Sequence, residues 1–224
     1  MRSLSHLVRG LAALFWGLPL SLIVSVQTGL TTLLAPFGVL PPIVANAVLV
    51  YGLLQLAQFQ KQERVWRRAL ERTQIMALAC LGLAPFLYWW RVMPYVIHYW
   101  LAVSLLGVCG LLFLFNLNLA LQRLAAMLPD ETLRLETKLF TTLNLYLVVA
   151  VLFLASVIIV VGLRPRPTPW LIPLLYVLAR VRLILLLLLT LLPVALTMAL
   201  LWKIKEAILA SVFGPANPDP ASGA

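Results

Sequence analysis

Apolar residues run along this chain in six long stretches, roughly 10–34, 40–60, 73–90, 97–120, 139–163 and 183–202. A helix of about 20 residues crosses the ~30 Å hydrocarbon core of a bilayer, and each stretch is near or beyond that length. None of them alternates apolar and polar positions as a lipid-facing barrel strand does. The pattern predicts an all-α fold, a polytopic integral membrane helical bundle of six transmembrane helices. The bundle is expected to form a single domain over 1–213, followed by a disordered tail over 214–224 with no apolar periodicity.

The breaks between the stretches have local causes. Ala35-Pro36-Phe37-Gly38 and Pro41-Pro42 end the first stretch and turn the chain. Residues 61–72, KQERVWRRALER, carry too much charge for hydrocarbon. Val65, Trp66, Ala69 and Leu70 recur there at helical spacing, which predicts a short amphipathic helix. It either lies on the headgroups or prolongs the second span into water and docks a partner. Pro129-Asp130-Glu131 predicts a sharp reversal between two helices that outrun the bilayer, since no Gly or Pro interrupts 111–128 or 130–161. Arg164 to Pro169, RPRPTP, reads as a stiff loop. The run Trp170 to Trp202 is too long for one crossing, so either it tilts or 169–182 lies along the membrane face.

Charge adds an orientation. Of the 17 Lys and Arg residues, twelve fall on the side of the N-terminus when the six spans alternate, and five on the other. Lys and Arg accumulate on the cytoplasmic side of membrane proteins, so both ends are expected inside, an N-in/C-in topology. Tyr88, Trp89, Trp90, Tyr95, Tyr99 and Trp100 crowd the second exterior turn, at the headgroup level that amphipathic rings favour. The start, Arg2 and Arg9 before an apolar run, resembles a signal peptide. The run continues to about Leu34 without a cleavage site, so it reads as an uncleaved first span.

Composition supports the membrane class: 63 % of residues are hydrophobic and 11 % charged, against about 45–50 % and about 25 % in soluble domains. The net charge of +10 is assigned to anionic headgroups at the cytoplasmic face rather than to nucleic acid. The expected location is an integral membrane, the bacterial cytoplasmic (inner) membrane.

Candidate chemistry is sparse. All seven acids lie in expected loops, tails or helix extensions, whereas proton relays and ion-coupled carriers often place acids or histidines mid-membrane. Cys80 and Cys109 form no CxxC pair, and His6 and His98 stand far apart, so no metal or cofactor is expected. No HExxH, GxSxG or P-loop occurs. The chain is therefore expected not to be an enzyme. Arg180 and Arg182, at the edge of the last span, are candidate anion or lipid contacts. Asn116, Asn118 and Asn144 are candidate interhelical polar contacts, with Asn116 and Asn144 expected to face each other. Gly107 and Gly110 are candidate helix-packing positions, within the bundle or against a partner helix. Ala13 and Gly17, and Cys80 and Ala84, are spaced for the same use.

Together these features predict a non-catalytic integral membrane subunit that scaffolds or assembles a larger membrane protein complex, with other membrane subunits as partners. The alternative is a small transporter or solute-binding membrane component. In gross architecture, six spans in 24.9 kDa, the chain resembles the substrate-binding subunits of energy-coupling-factor vitamin importers.

Overall fold

The computed structural model describes residues 2–59, 64–127, 131–162 and 191–209. Helices follow one another: α1 Arg2–Leu30, α2 Leu40–Ala57, α3 Arg64–Leu83, α4 Phe86–Val92, α5 Ile97–Ala126, α6 Glu131–Gly162 and α7 over 191–209. Among the described residues, five segments are long and apolar enough to cross a membrane: Ser5–Leu30, Leu40–Ala57, Arg64–Val92, Ile97–Ala126 and Leu135–Phe153. α7 falls on the last of the six apolar stretches and continues beyond it. The chain is an all-α bundle with five to six long apolar helices, consistent with a polytopic membrane protein.

α1 and α2 form the closest pair. Leu7, Leu11, Leu14 and Leu18 on α1, at alternating spacings of four and three, are all buried, as are Leu49, Leu53 and Leu56 on α2. Such spacing keeps one seam facing the partner helix. Glycines let the backbones meet: a Cβ on Gly10 would stand 2.9 Å from the Gly52 carbonyl oxygen, and one on Gly17 would stand 2.9 Å from Leu49 Cδ2. The turn between these helices contains the short 3₁₀ segment Ala35–Phe37, and Gly38 follows with φ of 60°, a conformation that glycine adopts without steric penalty. Prolines at the start of α2 lose nothing there, because the first amide groups of a helix have no intrahelical acceptor.

The charged stretch at 64–72 is neither a separate surface helix nor a continuation of α2, which ends at Ala57. It forms the first turns of α3. Trp66, Leu70, Thr73, Ala77, Cys80, Ala84 and Leu87 are all buried and recur at four and three residues, across the break at Ala84-Pro85. That seam packs on α5, whose buried positions run from Phe113 to Ala125. The apolar side of the amphipathic stretch is therefore spent on the bundle, and its arginines face outward: Arg64, Arg67, Arg68 and Arg72 are exposed.

α5 and α6 have 30 and 32 residues, about 45 and 48 Å at 1.5 Å per residue. Both exceed the ~30 Å hydrocarbon core. Only residues 127–130 separate them, in agreement with the expected tight hairpin. α7 is tied to α6 by an ion pair between Lys203 and Glu136, and to α1 by the Phe15 and Trp202 rings, 5.6 Å apart.

The core lies toward the end that carries most of the basic residues. It takes the first half of α1, the second half of α2, the start of α3, the second half of α5 and the α7 residues from Val194 to Ile208. The other half of α5, residues 97–112, has no buried side chain. Arg164 to Pro169, the stretch 169–182 and the tail 214–224 lie outside the described residues.

Candidate functional site

Most long spans here are apolar, so a polar side chain within them needs an explanation. Water cannot satisfy it in hydrocarbon, and a partner must come from another helix or from its own backbone. Three such side chains meet. Asn118 of α5, Asn144 of α6 and Thr197 of α7 are each at most 1 % exposed. Thr197 Oγ1 accepts from Asn118 Nδ2 at 2.9 Å and from Asn144 Nδ2 at 3.3 Å. It donates to the Pro193 carbonyl at 2.7 Å. The hydroxyl thus uses its one proton and both lone pairs, and joins three helices. Asn118 Nδ2 also donates to the Leu114 carbonyl at 2.8 Å. Asn144 Oδ1 is buried without a hydrogen-bond partner.

The depth of this node follows from the sequence. Asn118 stands five residues before Arg123, Asn144 six after Lys138 and Thr197 six before Lys203. At 1.5 Å per residue, all three lie roughly 8–9 Å inside the nearest charge on their helix. The node is at one level, on the basic side of the apolar zone. It contains no titratable group, so it can donate and accept hydrogen bonds but cannot exchange protons.

The Asn116–Asn144 pairing expected from the sequence is corrected. Asn116 Nδ2 donates to the carbonyl of Leu112, on its own helix, at 2.8 Å. With 3.6 residues per turn, Asn116 and Asn118 point about 200° apart, so only one of them can face α6 and α7. Asn118 occupies that face. Thr197 was not anticipated. Its one signal is a hydroxyl inside an otherwise apolar run, and such a residue usually bonds the carbonyl four residues back, as Thr28, Thr73 and Thr141 do here.

Gly107 and Gly110 do not pack within the described bundle: a Cβ on either would meet no atom within 4 Å. Gly107 is exposed and Gly110 half-buried, both on the part of α5 that has no fully buried side chain. The close helix approaches are made by Gly10, Gly17 and Gly52. Ala13 is half-buried, while Cys80 and Ala84 lie in the α3 seam. Arg180 and Arg182 lie outside the described residues.

Other polar contacts tie the ends of the bundle. His6 Nδ1 and Gln55 Oε1 are 2.7 Å apart, linking α1 to α2 at the basic end. At the opposite end, Arg91 donates to the Thr31 carbonyl at 2.6 Å and lies 5.4 Å from the centre of the Tyr88 ring. A cation at a helix C-terminus completes carbonyls that have no intrahelical donor. Trp89 and Tyr99, with rings 6.1 Å apart, join α4 to the first turn of α5. The aromatic cluster is thus internally stacked at its base, while Tyr95 is 98 % exposed.

Among the described residues, no three His, Cys, Asp or Glu side chains gather where they could share a metal ion. No protein-family model matches the chain, and neither the curated proteins nor the solved structures give a significant match to it.

Proposed function

We propose that the chain is a non-catalytic integral membrane subunit that scaffolds or assembles a larger membrane protein complex. It sits with both ends in the cytoplasm and its basic end on anionic headgroups, in a bacterial cytoplasmic membrane. One observation carries this reading: residues 97–112 of α5 bury no side chain. Only side contacts such as Leu106, Cys109 and Tyr99 hold this half to the bundle, so most of its surface is left to offer. On that surface Gly107 leaves open space above its Cα, which permits a neighbouring helix to approach closely. The node's donors go to Thr197 Oγ1 and to the Leu114 and Pro193 carbonyls, which supports a packing role for it.

Gentle purification from native membranes tests the proposal. Wild-type chain should bring down other membrane subunits in fixed stoichiometry, and Gly107→Leu should lose them while remaining folded. Wild-type chain that purifies alone, under conditions that keep other complexes intact, would contradict it.

A second reading rests on a different observation. Asn144 Oδ1 is an unmet acceptor within the apolar zone, and an N–H or O–H of a passing solute could meet it. In a small transporter, Asn144 would line the pathway, and Asn144→Leu would abolish transport without unfolding the chain.

A further inference from the structure

A cavity of about 360 Å³ opens between the end of α2 and the first turns of α3. Its volume falls within the range of about 300–1,000 Å³ usual for small-molecule sites. Ala57, Phe59, Trp66 and Leu70 supply apolar walls, and Arg67, Glu71 and Gln74 supply polar ones. We infer that this cavity is a binding site for the headgroup of an anionic phospholipid, with the lipid phosphate on Arg67 and its glycerol-ester region against the apolar walls. The inference rests on the membrane reading alone. It is independent of whether the chain scaffolds or transports and of which side faces the cytoplasm.

Three features select this ligand. The first is position. α2 ends at Ala57, and the apolar part of α3 begins after Arg72, so the cavity lies at the level where span meets charged turn. A phospholipid changes there from acyl chain to phosphate. The second is charge: Arg64, Arg67, Arg68 and Arg72 face one acid, Glu71, over residues 64–72. An anion is favoured and a cation is not. The third is the state of Arg67. Its Nε donates to Glu71 Oε1 at 2.8 Å, with the two side chains 69 % and 51 % exposed. An exposed pair of this kind holds its partners weakly. A phosphate oxygen can replace the carboxylate, and guanidinium binds phosphate in bidentate fashion.

The whole chain in detergent, titrated with phosphatidylglycerol or phosphatidylcholine and read by native mass spectrometry, tests the inference. Phosphatidylglycerol should be retained in preference to phosphatidylcholine. Arg67→Ala should lower its retention roughly fivefold, and Glu71→Gln should raise it by freeing Arg67. Arg64→Ala, the same charge change at an exposed residue that does not line the cavity, should leave it unchanged. Equal losses in Arg64→Ala and Arg67→Ala would replace the site with diffuse attraction and overturn the inference. So would equal retention of the two lipids, or displacement of phosphatidylglycerol by millimolar inorganic phosphate, which would identify a free-anion site. Flotation of the chain with vesicles separates these failures from failure of the membrane reading, in which the chain would not float.

Discussion

Thr197 shows how much one hydroxyl can hold in an apolar bundle. Two asparagine amides on two helices depend on its oxygen as acceptor. Thr197→Val keeps the shape and removes both bonds. Interhelical hydrogen bonds in membranes average about 0.6 kcal/mol, with a maximum near 1.7, so this change should destabilise the bundle by about 1–2 kcal/mol. Thr197→Ser should restore most of the loss. Asn116→Leu, which removes only a bond within α5, should stay within about 0.5 kcal/mol of wild type. Thermal or denaturant unfolding in detergent would check all three. The sequence pointed to asparagines at this level but paired Asn116, and not Asn118, with Asn144. Asn116 and Asn118 occupy the same apolar run, two residues apart, and only the rotation of α5 against its neighbours decides which one is buried.

At the scale of elements, the glycines separate two kinds of helix face. On Gly10 a Cβ would press on backbone, the carbonyl of Gly52, at 2.9 Å, and on Gly52 a Cβ would stand 3.2 Å from the Gly10 oxygen. A backbone atom cannot turn aside as a flexible side chain can, so α1 and α2 would have to separate. Gly10→Ala should therefore cost about 1–3 kcal/mol, while Gly107→Ala, with open space around it, should change folding stability by less than about 0.5 kcal/mol. Unfolding of the two variants side by side would show the contrast. The positions of the long helices were legible from apolar run lengths, and the α5–α6 hairpin from Pro129-Asp130-Glu131. The attachment of 64–72 was not. Its apolar residues marked an amphipathic helix, but the seam that carries it into α3 passes through Thr73, Ala77 and Cys80. None of these is a large apolar residue, so the continuity showed only once α5 was packed against it.

For the molecule as a whole, charge and packing coincide. The end rich in Lys and Arg is also the end where the core is built, with Leu7, Leu56, Trp66, Leu124 and Ile204 all buried there. We expect that end in the cytoplasm. Topology reporters fused at residues 66 and 209 should both be cytoplasmic, and a reporter at 94 should be outside. A periplasmic signal at 66 would invert the frame. The scaffold reading makes a sharper demand, because it requires that the chain move nothing by itself. The most direct measurement is solute flux into sealed proteoliposomes that contain this chain alone, with candidate solutes drawn from an extract of the native cell. The account predicts uptake no faster than in protein-free vesicles. Saturable uptake that disappears in Asn144→Leu, with the variant still folded and inserted, would contradict it and make the node of Asn118, Asn144 and Thr197 part of a transport pathway.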